Sequence, residues 1–151
     1  MTNRPLPHAP LYWGLAGLIP GLLCIALAWG GAGRAGPGAI AGALYAALIL
    51  SFLGGLWWME ALMRGDTRAW PYGVAVVPSL AGWAALLASL VGGAPVSVAL
   101  VVLGLALLAT PLGDRWTGSL VRDMPGWWRL RLVLAFGLGG MSLILGGVAS
   151  L

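Results

Sequence analysis

Five long apolar runs constrain this chain more than any other feature of its sequence. They cover about residues 12–31, 39–63, 72–92, 96–112 and 130–151, and a Gly-Gly-Ala-Pro turn at 92–95 separates the third from the fourth. A helix needs about 20 mostly apolar residues to cross the hydrocarbon of a bilayer. The sequence therefore predicts an all-α, polytopic membrane helix bundle with five transmembrane helices, in which residues 1–151 form a single integral membrane domain.

The small number of charged side chains supports this fold class. Only 8% of the residues are charged, whereas 60% are hydrophobic. A soluble domain has about 25% charged residues, which cover its surface. Lipid is therefore expected to surround most of the chain. The net charge of +4 does not indicate nucleic acid, because the arginines are divided among short segments where membrane lipids are the expected partners.

The arginines also predict how the five helices are oriented. With five spans, one face holds the N-terminal tail and the segments after the second and fourth spans. Seven of the eight arginines fall on that face, and only Arg34 falls on the other. Basic residues in short loops are retained in the cytoplasm. We therefore expect a bacterial inner-membrane protein with a cytoplasmic N-terminus and a periplasmic C-terminus.

A cleavable signal peptide is an alternative interpretation of the first run. Arg4, the apolar stretch and the small-residue pattern Ala26-Leu27-Ala28 fit such a peptide. However, the run is long for a signal peptide and has Pro20 in its middle. A transmembrane helix is therefore the preferred interpretation.

The segment after the fourth run predicts a short interfacial helix. Asp114 can cap its start, and Trp116, Leu120 and Met124 then share one face at four-residue spacing. Such a helix lies on the membrane surface. The alternative is a docking surface for a partner protein.

Small residues predict which helix lies at the centre of the bundle. In lipid, helices associate where small side chains let their backbones approach closely. The second run carries such residues at four-residue spacing: Ala39, Ala43, Ala47, Ser51 and Gly55. We therefore expect the second helix to be central, with this stripe facing another helix.

Prolines interrupt two of the predicted helices. Pro20 and Pro78 each remove a backbone donor and free the carbonyl four residues earlier. Neighbouring groups can satisfy such carbonyls inside a membrane. The two interruptions either serve helix packing alone or shape a ligand cavity.

The residues needed for catalysis or metal binding are scarce. The only cysteine is Cys24, the only histidine is His8, and the chain has no lysine. A serine or cysteine nucleophile therefore lacks a base beside it, and the acids are too scattered to hold a metal. We expect no enzyme activity, no catalytic residue, no metal and no cofactor.

Two functions from different classes remain. The first is an accessory or assembly protein that binds other membrane proteins through small-residue helix faces. The alternative is a binder or carrier of a hydrophobic small molecule, such as a lipid, quinone or tetrapyrrole, between helices one to three. The candidate ligand-binding residues are Trp57, Trp58, Glu60 and Trp83, with Glu60 expected as the deepest acid and Arg64 as its partner one turn later.

Four segments of the chain resemble a known family. They are residues 15–20 (LAGLIP), Tyr45 with residues 49–58 (ILSFLGGLWW), residues 77–80 (VPSL) with Trp83, and residues 128–132 (WRLRL). In this order they resemble the small bacterial membrane proteins related to transmembrane protein 69 of mitochondria, a family called domain of unknown function 3429. The resemblance implies a multi-helix inner-membrane protein and no particular reaction.

The chain departs from that family at one position. The family pattern has a histidine near Trp57, whereas this chain has Trp57, Trp58 and Met59 there. Histidine chemistry is therefore not expected. The five-helix, tryptophan-rich format is also similar to that of the translocator protein family, but the Trp-Pro-Pro stretch of that family is missing from this sequence.

Overall fold

The computed structural model describes residues 8–30, 36–117 and 126–150, and every regular element in these ranges is a helix. The helices are α1 (His8–Ala16), α2 (Ile19–Gly30), α3 (Pro37–Met63), α4 (Trp70–Leu90), α5 (Val96–Thr117) and α6 (Trp127–Val148).

Within the described ranges, five segments are long and apolar enough to cross a membrane. The first combines α1 and α2, and the other four are α3 to α6. This confirms the predicted all-helical, multi-pass membrane architecture. The hairpin between the third and fourth spans is also present. α4 ends at Leu90, Gly93 has a positive φ of 73°, and α5 begins at Val96.

The first span is broken close to Pro20. α1 ends at Ala16, residues 17 and 18 form a turn, and α2 begins at Ile19. A break in a helix exposes backbone groups that need partners in lipid. The hydroxyl of Tyr45, on α3, donates a hydrogen bond to the carbonyl of Gly17 in this turn. A neighbouring helix thus satisfies part of the broken backbone.

The fourth span is longer than predicted. α5 continues to Thr117, whereas the apolar run was expected to end at Leu112. Asp114 therefore does not cap a separate interfacial helix, because it lies within α5 and is buried. The expected end of the span at Leu112 and the capping role of Asp114 were therefore wrong, because the bundle accommodates this charged residue inside α5. The remainder of the predicted interfacial helix, residues 118–125, lies outside the described residues.

α3 lies at the centre of the bundle, as predicted for the second helix, and packs against α2, α4, α5 and α6. Its crossing with α4 is close because small residues meet there. A Cβ added to Gly54 would overlap the carbonyl oxygen of Ala75. A Cβ added to Gly82, on α4, would lie 3.2 Å from the Cβ of Ala47. Close backbone approach therefore holds this pair of helices together.

The small-residue stripe of α3 does not stay on one face of the helix. Ala39, Ala43 and Ala47 are buried, whereas Ser51 and Gly55 are exposed. Residues at four-residue spacing rotate around an α-helix by about 40° per step, so a long stripe leaves the interface. Ser51 still contacts α4, because the hydroxyl of Ser79 donates a 3.1 Å hydrogen bond to its hydroxyl. Gly55 has open space on its outer side.

α5 and α6 also pack through small residues. A Cβ added to Gly104 would lie 3.0 Å from the carbonyl oxygen of Gly139, and one added to Gly139 would lie 2.9 Å from that of Gly104. The two backbones are therefore in direct contact at this crossing. The core of the bundle contains fully buried leucines: Leu50, Leu100, Leu103, Leu107 and Leu145.

Candidate functional site

Three buried side chains from three helices form a polar cluster, namely Trp57 of α3, Asp114 of α5 and Arg131 of α6. The guanidinium of Arg131 donates two hydrogen bonds to Asp114, from Nε to Oδ2 at 2.6 Å and from Nη2 to Oδ1 at 3.0 Å. The indole Nε1 of Trp57 donates a third, to Oδ1 at 2.6 Å. Only 7% of the Arg131 side chain and 9% of the Asp114 side chain are exposed.

The packing of α5 positions the polar cluster. The ring of Trp57 lies against Gly113, where a Cβ would overlap the indole. Pro111 cannot donate a hydrogen bond to the carbonyl of Leu107. The hydroxyl of Thr110 donates to that carbonyl instead, at 2.7 Å. α5 therefore continues through the proline and carries its carboxylate into the bundle.

The geometry of the cluster explains how charges are tolerated in the interior. A charge buried in a membrane protein is costly unless it is paired and hydrogen-bonded. Here a forked guanidinium meets a carboxylate through two bonds, and the pair is neutral as a whole. Among the described residues, Nη1 of Arg131 donates no hydrogen bond. In the same residues, no group of three His, Cys, Asp or Glu side chains could hold a metal ion.

A cavity of about 400 Å³ lies between α1, α3, α5 and α6, beside the polar cluster, and we call it the main cavity. Its lining is apolar except for a few groups, which include Thr110 and Arg131. Trp13 on α1 and Phe52 on α3 also line it and are 81% and 61% exposed on the outside of the bundle. The main cavity therefore opens toward the lipid between α1 and α3.

A second cavity, of about 360 Å³, lies between α3, α4 and α5. Trp57 of the polar cluster lines it, together with Pro78, the proline inside α4. Thr110 lines both cavities. Thr110 is therefore part of the wall between two apolar spaces.

The structure separates the four residues that the sequence suggested for ligand binding. Trp57 belongs to the polar cluster, whereas the Trp58 ring packs edge-on against Tyr72, with their centroids 5.0 Å apart. Trp83 is 63% exposed on the outside of α4. Glu60 is half-buried near the end of α3, and so is Arg64. Both cavities also involve α5, so they differ from the pocket expected between helices one to three.

Comparison with known proteins identifies the family. A family model described as "Protein of unknown function (DUF3429)" matches residues 6–147, which is nearly the whole chain. This chain belongs to the DUF3429 family. No curated protein and no solved structure matches it. The polar cluster and the cavities beside it are the candidate functional features of this DUF3429 protein.

Sequence reasoning missed the buried ion pair of this DUF3429 protein, and it treated Glu60 as the deepest acid. The overlooked signal is helical periodicity: buried residues on one face of an α-helix recur at alternating spacings of three and four residues. In α5 these buried positions are Leu100, Leu103, Leu107, Thr110 and Asp114. In α6 they are Arg131, Ala135, Leu138, Ser142 and Leu145. Asp114 and Arg131 therefore lie on the same helix faces as the buried core residues of α5 and α6.

A second ion pair lies outside the spans, in the loop between α3 and α4. Nη2 of Arg68 is 2.7 Å from Oδ2 of Asp66. Hydrogen bonds from the side chain and the backbone amide of Arg68 lower the pKa of Asp66 to about 2. The Arg68 guanidinium also lies 5.3 Å from the centroid of the Trp70 ring. A cation, an acid and an amphipathic indole are the groups expected at headgroup level.

Proposed function

We propose that this protein binds a hydrophobic small molecule in the main cavity, without catalysing a reaction on it. The observation that carries the proposal is an apolar space of about 400 Å³ that contacts a buried guanidinium. Ligand sites in proteins combine these features, since they are mostly apolar and have a few polar groups that orient the ligand. Their volumes start at roughly 300 Å³.

Access to the main cavity supports a ligand that is dissolved in the membrane. The exposed Trp13 and Phe52 form its outer edge, between α1 and α3. α1 packs against α6, and the main cavity occupies the space between α1 and α3. A hydrophobic molecule can enter sideways from the bilayer through this gap without crossing water.

Native mass spectrometry of the gently extracted protein tests the proposal. The unsubstituted protein is expected to retain a small hydrophobic molecule in defined stoichiometry. Ala135→Phe puts a ring into the main cavity, because Ala135 is buried and lines it, and should abolish retention. Ala84→Phe adds the same ring on the exposed side of α4 and should leave retention unchanged. Equal retention by both variants would contradict the proposal.

An accessory or assembly role is the second candidate. It is favoured by Gly140 and Gly147 of α6, which lie seven residues apart and where an added Cβ would contact none of the described residues. A partner helix can approach the backbone closely at such positions. In the same mass spectra, a second protein retained in defined stoichiometry would support this role. Its loss in Gly140→Leu, with the small molecule still bound, would show that the two functions use different surfaces.

The location and orientation of the protein are part of the proposal. We place it in the bacterial inner membrane, with a cytoplasmic N-terminus and a periplasmic C-terminus. Seven of its eight arginines fall on the face that holds the N-terminal tail and the segments after the second and fourth spans. A periplasm-active reporter fused after residue 151 should be active, and the same reporter inserted in the 64–69 loop should be inactive. The reverse result would overturn the orientation. The relation to mitochondrial transmembrane protein 69 also remains a prediction.

A further inference from the structure

We infer that the ligand of the main cavity is a neutral amphiphile whose head is a hydrogen-bond acceptor, such as an ester or quinone carbonyl, held by Arg131. This inference rests on the proposed function and adds the chemical class of the ligand. It follows from three features of the polar cluster: its neutrality, its unused donor and its position on the cavity wall.

Arg131 is a lining residue of the main cavity and is buried. Its Nε and Nη2 atoms bind the carboxylate of Asp114, whereas Nη1 donates no hydrogen bond among the described residues. A guanidinium has five N–H donors and no acceptor. The cluster therefore offers hydrogen-bond donors to a ligand, and the ligand must supply the acceptor.

Asp114 already neutralises Arg131, at 2.6 Å between Oδ2 and Nε. An anionic ligand would leave a net negative charge in the apolar interior, which is costly. The nearby Arg115 and Arg129 do not offset that charge inside the cavity, because both are exposed. A neutral carbonyl oxygen accepts the same hydrogen bond without this cost.

Away from Arg131 and Thr110, the lining is formed by apolar side chains such as Ile49, Leu107 and Leu134. The opening lies between α1 and α3, on the lipid side of the bundle. The remaining part of the ligand is therefore a hydrocarbon chain or isoprenoid tail, which lies in the main cavity and reaches the bilayer.

Three probes that share one diazirine-bearing alkyl chain test this inference. They are the methyl ester, the ionised carboxylate at pH 9 and the plain hydrocarbon. Each is added at the same mole fraction to the protein in nanodiscs of zwitterionic lipid, and light-induced adducts on peptides of α5 and α6 are counted. The ester should label the main cavity roughly tenfold more than the other two, as expected for one hydrogen bond to a charged donor.

The outcomes separate the inference from the proposed function. Equal labelling by all three probes, or strongest labelling by the carboxylate, would overturn the inference and leave a hydrophobic binding cavity. No labelling of the main cavity above that of the exposed side of α4 would overturn the proposed function as well. This comparison uses the unsubstituted protein, so it does not depend on a variant that folds.

A double variant identifies the group that holds the head. Asp114→Asn with Arg131→Met leaves no unpaired charge and keeps an oxygen that Trp57 can donate to. In this variant the labelling by the ester should fall to the level of the hydrocarbon, while the labelling by the hydrocarbon stays unchanged. A preference for the ester that persists in the double variant would show that Arg131 does not hold the head.

Discussion

At the residue scale, the ion pair between Asp114 and Arg131 distinguishes this bundle from one held together by apolar packing alone. Two hydrogen bonds join the charged groups, and Trp57 adds a third from another helix. Three helices therefore meet at one carboxylate. The energetic consequence is asymmetric, because removing one partner leaves the other charged and buried, whereas removing both does not.

This asymmetry gives a prediction for stability. Asp114→Ala should lower the free energy of unfolding in detergent by about 3–5 kcal/mol, because it leaves Arg131 as an unpaired buried charge. The double variant Asp114→Asn with Arg131→Met should lose much less. Thermal or denaturant unfolding followed by tryptophan fluorescence measures both. A double variant that is less stable than Asp114→Ala would contradict the account of the cluster.

The ion pair in the 64–69 loop gives a prediction for pH. Arg68 lowers the pKa of Asp66 to about 2, below the ordinary value of about 3.9 in an unfolded chain. The folded loop therefore gains stability above that ordinary value and loses it as the pH falls through about 2. Carboxyl-carbon NMR of labelled aspartate should show this low midpoint. In Arg68→Gln the midpoint should rise toward 3.8; an unchanged midpoint would disprove the role of Arg68.

At the scale of the elements, adjacent glycines on α6 provide a matched test of helix packing. Gly139 faces the backbone of Gly104, whereas at Gly140 no atom of the described residues lies within 4 Å of an added Cβ. Both changes to alanine reduce backbone freedom in the same way. Gly139→Ala should therefore be less stable than Gly140→Ala by about 1–3 kcal/mol, the cost of overpacking. Equal stability of the two variants would show that α5 and α6 do not cross at this point.

The helices also show which features of the fold could be predicted from the sequence. Hydropathy and length predicted five spans and the hairpin at Gly93, since the bilayer fixes how many apolar residues a span needs. Hydropathy and length did not predict where α5 ends. Asp114 lowers the mean hydropathy of any window that contains it, and such a window does not include its partner, which lies on another helix. The small-residue stripe of α3 was followed too far, to Gly55, since four-residue spacing drifts around the helix.

The candidate site was harder to predict than the fold. Trp57 was identified as a candidate ligand-binding residue, but its role as a donor to Asp114 depends on contacts between α3 and α5 that no local pattern contains. The main cavity depends on how α1 stands apart from α3, which follows from the break at residues 17 and 18 and from packing against α6. Such features depend on packing between helices that are far apart in the sequence. A single sequence indicates only which helix faces are available for that packing.

At the scale of the whole molecule, the described residues form a five-span helix bundle in which small-residue crossings and apolar cavities surround the buried Asp114–Arg131 ion pair. The crossings hold helices together where lipid provides no hydrophobic driving force between them. The ion pair joins α5 to α6 and Trp57 attaches α3. The main cavity lies between α1 and these three helices and opens toward the bilayer.

Photo-crosslinking in living cells tests this account most directly. A photoreactive amino acid is placed either at Leu134, which lines the main cavity, or at Phe136, which is 65% exposed on the same helix. Position 134 is predicted to capture one hydrophobic small molecule of defined mass, whereas position 136 is predicted to capture the mixture of bulk membrane lipids. The same mixture of adducts at both positions would contradict a selective binding cavity.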